Sequence, residues 1–147
     1  MGRAFYIIGA LVVLTLVFFF AKGGITGNVV GAAEPLVIPL SEISEQASWY
    51  EQNVGGTSVR FFSIKVQDGS IKTAFDACDV CYSSKKGYRQ KGDVMICNNC
   101  GNRYPISGLG TENKKGGGCW PGYLPSEIKG ENLVIKMSDL EKERYRF

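Results

Sequence analysis

Four of the five cysteines form two Cys-x-x-Cys pairs, Cys78/Cys81 and Cys97/Cys100, with fifteen residues between Cys81 and Cys97. A Cys-x-x-Cys turn brings two thiolates onto one metal from a tight loop, and two such turns can complete a tetrahedral shell of four sulfurs. The chain contains no histidine. A soft metal held here is therefore held mainly by sulfur, which narrows the candidates to zinc, iron, an iron–sulfur cluster or Cu(I). On this reading Cys78, Cys81, Cys97 and Cys100 are the metal ligands. The fifth cysteine, Cys119, follows Gly116-Gly117-Gly118 and has no counterpart in a plain four-cysteine zinc ribbon. It reads as a cofactor-binding thiol, either an alternative ligand or a thiol beside the ligands on an electron path, as an odd free cysteine, or as a small residue buried in a glycine loop.

Other chemistries fare worse. Neither Cys-x-x-Cys is followed by histidine, so heme c attachment in its usual form is excluded. Neither pair opens a helix in a βαβ pattern, so a thioredoxin-like redox site is poorly supported. Asp76 and Asp79 flank Cys78 and read as turn or surface acids. Without histidine, acid–base chemistry near neutral pH would need a strongly shifted carboxylate or lysine, so the chain is expected not to be an enzyme.

The elements that must position these cysteines are short and β-prone. Leu36–Ile38 reads as a strand, and Ser41 as the cap of a brief helix reaching about Ala47. Trp49–Asn53 and Ser58–Gln67 read as a hairpin around Val54-Gly55-Gly56-Thr57. Asp68-Gly69 then turns the chain into Ile71–Phe75, which ends just before Cys78. Gly92-Asp93 separates Tyr88–Gln90 from Val94–Cys97 in a further hairpin that ends on the second pair. Gly101 supplies the positive φ that the residue after a metal knuckle often needs, whereas Tyr82 stands at the equivalent place in the first knuckle. The run LVIPLSEI from Leu36 is echoed by LVIKMSDL from Leu133, which predicts two similar strand–helix corners at the two ends of the domain. The expected fold is a small β-rich α+β domain with zinc-ribbon-like cysteine knuckles.

Length and composition frame that domain. The 147 residues leave room for one domain once the N-terminus is set aside. Ala4 to Ala21 is an uninterrupted apolar run of 18 residues, about 27 Å as a helix and close to the thickness of a bilayer core. It exceeds the usual apolar core of a signal peptide, and no small-x-small site directly follows it. Residues 1–22 are thus expected to be a transmembrane anchor, with a signal segment as the alternative, and residues 23–34 a flexible linker. Residues 35–147 form the cysteine-rich domain, predicted to lie outside the cytoplasm behind a single membrane pass. That compartment makes paired disulfides a rival to metal. The net charge of +3 is too small to imply nucleic-acid binding. Between Tyr82 and Gly130, however, eight basic residues (Lys85, Lys86, Arg89, Lys91, Arg103, Lys114, Lys115 and Lys129) face only Asp93, Glu112 and Glu127. They read either as a solvated loop surface or as cations that offset a thiolate centre and steer an acidic partner.

The segments FDACDVCY, GYRQKGDVMICNNCGNRYPI and GGGCWP, with LVIPLSEIS and RFFSIK upstream and LVIKMSDL at the end, resemble the FtrD-like family of membrane iron–sulfur proteins. The resemblance spans about Leu36 to Phe147. It implies a membrane-attached, ferredoxin-like electron carrier associated with an iron permease or another redox partner. By position it implies Cys78, Cys81, Cys97 and Cys100 as ligands of an iron–sulfur cluster and Cys119 as the family's further cysteine. A zinc-ribbon-like binding module without redox activity, and a disulfide-stapled domain, are the alternatives.

Overall fold

The structure is a computed structural model and describes residues 34–147. The expected anchor and nearly all of the linker lie outside the described residues. Among the described residues no helix is long and apolar enough to cross a membrane.

Among the described residues, nine short strands make three separate antiparallel sheets of three strands each. The first joins the two ends of the domain: β1 (Leu36–Pro39) pairs with β9 (Asn132–Ile135), which pairs in turn with β8 (Glu127–Lys129). The second is the meander β2 (Ser48–Val54), β3 (Thr57–Lys65) and β4 (Ile71–Phe75). The third is β5 (Tyr88–Lys91), β6 (Val94–Cys97) and β7 (Arg103–Pro105). One α-helix, α1 (Met137–Glu143), and several single 3-10 turns complete the domain.

β3 explains why there are two apolar cores. Side chains alternate across a strand, and both faces of β3 are buried. Val59 and Phe61 pack with Ile38, Phe75, Leu133, Ile135 and Leu140 on one side. Phe62 and Ile64 pack with Ala74, Tyr88, Met95, Ile106 and Leu109 on the other, and that second core includes Cys78 and Cys97. The cysteine loops therefore stand on a packed apolar floor.

The hairpins follow the sequence expectation to within two residues. The turn after β3 closes by Val66 accepting from the Gly69 N–H at 2.8 Å, with Asp68 Oδ1 accepting from the Ser70 N–H at 2.8 Å. β7 and β8 carry little periodicity and were not expected. Two expectations need correction. The helix predicted from Ser41 to Ala47 is one 3-10 turn, Leu40–Glu42, with no side-chain cap. Tertiary partners take the backbone that a helix would need: the Ala47 N–H donates to Gln90 Oε1 at 2.7 Å, and Ser44 O accepts from the Lys65 N–H at 2.8 Å. The two echoed segments also lie side by side rather than at opposite ends, with Leu36 opposite Ile135. Ser138 is not the cap of α1, whose N-cap position is Lys136.

Candidate metal centre

Cys78 lies three residues beyond β4 and is buried in the second core. The Cys81 N–H donates to Cys78 Sγ at 2.9 Å, the kind of hydrogen bond that a metal knuckle makes to a sulfur. The Ser84 N–H donates to Cys81 O at 3.0 Å, closing a 3-10 turn over Tyr82–Ser84, and Ser84 Oγ donates to the same oxygen at 2.7 Å. Cys97 ends β6, also buried. The Gly101 N–H donates to Cys97 O at 2.9 Å, and Gly101 adopts φ +75° as the sequence led us to expect. Cys100 at the far end of this knuckle is exposed. The two knuckles are therefore not equivalent.

Residues 86–89 splice the knuckles together. The Asn98 N–H donates to Gly87 O at 2.9 Å, Asn98 Nδ2 to Lys86 O at 2.9 Å, and Arg89 Nη1 to Asn98 Oδ1 at 2.6 Å. Gly87 has φ +62°, and a Cβ there would stand 2.3 Å from Asp76 Oδ2. Asp76 fills that space. Its Oδ1 accepts from the Tyr88 N–H at 2.7 Å, and its Oδ2 lies 3.5 Å from Arg60 Nε. Burial pushes the Asp76 carboxyl above the usual carboxylate range, against the pull of the Tyr88 N–H and Arg60. Asp76 is a structural acid.

Cys119 arrives from far along the chain. Asp79, inside the first knuckle, accepts from the Gly117 N–H at 2.6 Å through Oδ2. Its Oδ1 lies 2.5 Å from Arg146 Nη1, a charge contact too poorly aligned to count as a hydrogen bond. Arg146 also pairs with Glu143 at 2.5 Å. On the other side, Tyr88 Oη donates to Cys119 O at 2.6 Å. The sulfurs of Cys81 and Cys119 stand 3.3 Å apart, and all five cysteines are free thiols.

The five sulfurs fall into two groups. Those of Cys78, Cys81 and Cys119 all lie within 4.8 Å of one another, and so do those of Cys81, Cys97 and Cys100. Cys81 belongs to both. The four cysteines singled out from their spacing thus meet through Cys81, and Cys119 joins them. Two thiolates on one tetrahedral metal stand about 3.8 Å apart, given metal–sulfur bonds of about 2.3 Å, so the spacing suits a thiolate-held metal. The thiols are not alike. Hydrogen bonding, first from the Asn99 side chain and then from Cys119, lowers the Cys81 thiol, whereas burial raises those of Cys97 and Cys119. Burial and the neighbouring Cys78 sulfur keep the Tyr88 hydroxyl protonated, so it remains a donor.

A family model described as membrane iron-sulfur containing protein FtrD-like matches residues 43–147. The chain belongs to the FtrD-like family. The match begins at Ile43, so Leu36–Glu42, counted in the resemblance from sequence, falls outside it. No curated protein matches this FtrD-like chain. Among solved structures, it is similar to the crystal structure of the quaternary ammonium Rieske monooxygenase CntA in complex with the inhibitor MMV12, at a TM-score of 0.46 and 15% identity. That similarity covers 74% of this chain and 32% of the other, so this chain spans about a third of the other's length.

Sequence reasoning missed the clamp on Cys119. Asp79 read as a surface or turn acid, and Arg146 carried no signal at all. The adjacency of Asp79 to Cys78 was the one hint available.

Proposed function

We propose that this FtrD-like protein is a membrane-anchored electron carrier with a thiol-held iron–sulfur centre, its soluble domain on the extracytoplasmic side. On this reading it serves an iron permease or another redox partner and is not itself a catalyst. The observation that carries the reading is the convergence of five thiols, with no histidine in the chain, on one point in a domain of this family. When bound, an iron–sulfur cluster supplies reversible one-electron transfer.

The residues around it have separable tasks. Cys78 and Cys97 anchor the ligand set in the apolar core, which holds the site dry on its inner side. Exposed Cys100 leaves an outer edge from which electrons can pass to a partner. The Cys81 N–H drains charge from the Cys78 sulfur, which stabilises the more negative, reduced state and raises the potential. Lys85, Lys86, Arg89 and Arg103 are exposed around the knuckles and act in the same direction. The cavity touching Cys78, Cys81 and Cys97 has a volume of about 10 Å³, room for one water rather than a substrate.

The second reading is a structural zinc site, favoured by the burial of Cys78 and Cys97 among core side chains. The full chain, purified anaerobically in detergent, separates the two. Iron with acid-labile sulfide, and visible absorption that bleaches reversibly on reduction, are expected. A colourless protein carrying zinc alone refutes the electron-carrier reading.

A further inference from the structure

We propose that the centre holds two metals on all five thiols, with the Cys81 sulfur common to both: Cys78, Cys81 and Cys119 hold one, and Cys81, Cys97 and Cys100 the other. The inference rests on the reading of this site as a thiol-held metal centre and specifies how its ligands are divided.

The grouping of the sulfurs is the starting point. Two sets of three mutually close thiols overlap at a single atom, Cys81 Sγ. A thiolate sulfur has lone pairs enough to bind two metals, and Cys81 is the residue from which both sets are within reach. It sits at the open end of the first knuckle, half-buried, between Cys119 on one side and the second knuckle on the other.

Cys119 is built into the site rather than packed near it. Three consecutive glycines at φ +70°, +77° and +71° carry the backbone to Cys119 through conformations that side chains disfavour. Two independent hydrogen bonds then fix the loop, Gly117 N–H to Asp79 and Tyr88 Oη to Cys119 O. Both lead back to residues beside the other ligands. A buried spacer would need neither.

Charge favours the same arrangement. Four thiolates on one divalent ion carry two net negative charges, with the fifth sulfur left as a neutral thiol. Five thiolates on two divalent ions carry one. Loading releases one proton from each of the five thiols, so the balance is closed by proton release to solvent.

The test uses Cd²⁺ as a soft probe on the full chain, stripped of metal and kept reduced in detergent. Sulfur-to-cadmium absorption should rise linearly to two equivalents per chain, with all five thiols then protected from alkylation. ¹¹³Cd NMR should show two resonances coupled to each other through the shared sulfur. Cys119→Ser should weaken one position at least tenfold and spare the other, while Cys81→Ser should abolish the coupling. Saturation at one equivalent, uncoupled resonances, or a Cys119 that stays open to alkylation each overturns the proposal. The unsubstituted chain decides the matter even if Cys81→Ser does not fold. Iron and sulfide analysis of the protein as purified keeps the two readings apart. Two coupled cadmium sites in a protein that carries no iron would uphold this inference and sink the electron-carrier reading. Iron with saturation at one cadmium would do the reverse.

Discussion

Gly87→Ala is the sharpest probe of how the domain holds its knuckles. At φ +62° an alanine occupies the left-handed region, which costs about 1–2 kcal/mol for a residue with a Cβ. That Cβ would also stand 2.3, 2.5 and 2.6 Å from Asp76 Oδ2, Oδ1 and Cγ. No real Cβ tolerates such contacts, so the Asp76 side chain must move. It is buried and short, and moving it breaks the 2.7 Å bond from the Tyr88 N–H. Leaving a buried polar group unpaired costs about 1–3 kcal/mol. Gly92→Ala is the matched control, since φ is +59° there and nothing lies within 4 Å of its Cβ. The backbone term is common to both variants, so the difference between them isolates Asp76. That difference should be about 1–3 kcal/mol, or a further fall in Tm of about 4–12 °C for a domain of this size. The assay is urea and thermal unfolding of the full chain in detergent, followed by tryptophan fluorescence with metal held at saturation. Equal losses for the two variants would refute the argument that the Asp76 cradle, rather than the turn alone, requires glycine at position 87.

Three further outcomes are expected. Asp79→Ala should remove both the Gly117 acceptor and one of the two acidic partners of Arg146, and lower amide-exchange protection at Gly117 about five- to thirtyfold, as a loss of about 1–2 kcal/mol implies; Asp79→Asn, which keeps an acceptor oxygen, should lose less. In the metal-free, reduced chain near pH 8, alkylation followed by mass spectrometry should find Cys81 reacting well before Cys119, because hydrogen bonding lowers the first thiol and burial raises the second; the reverse order would contradict that account. Gly108→Ala should drive Trp120 off the Tyr104 ring, since its Cβ would lie 2.4 Å from the indole Cη2; a shifted Trp120 emission, read in a Trp49→Phe background, checks it.

Much of the β framework was legible because its signals are local. Asp68-Gly69 and Gly92-Asp93 mark turns by their own conformational preferences, and the strands between them announce themselves by β-branched and aromatic residues. The strand–helix corner at Ser41 was misread for the opposite reason. Its capping pattern is sound as a local motif, but Gln90 and Lys65, distant in sequence, supply partners that outcompete a helix. β7 and β8 were illegible because three-residue strands, one with an exposed run, exist through pairing rather than pattern.

By itself the sequence determined the set of donors and the family: five thiols, no histidine, two Cys-x-x-Cys turns, and a family described as membrane iron-sulfur containing. Spacing within a Cys-x-x-Cys turn is fixed by a few covalent bonds, so a reader can know that Cys78 and Cys81, or Cys97 and Cys100, lie close together. No such constraint reaches Cys119, which eighteen residues of sequence separate from Cys100. Only tertiary structure decided where it goes. The floor laid by β3, the Asp79 acceptor and the Tyr88 hydroxyl bring the glycine loop to Cys81. The same packing makes Cys81 the thiol that both groups share. A chain's local turns set which atoms can bind metal, and the closure of the whole domain sets which of them meet.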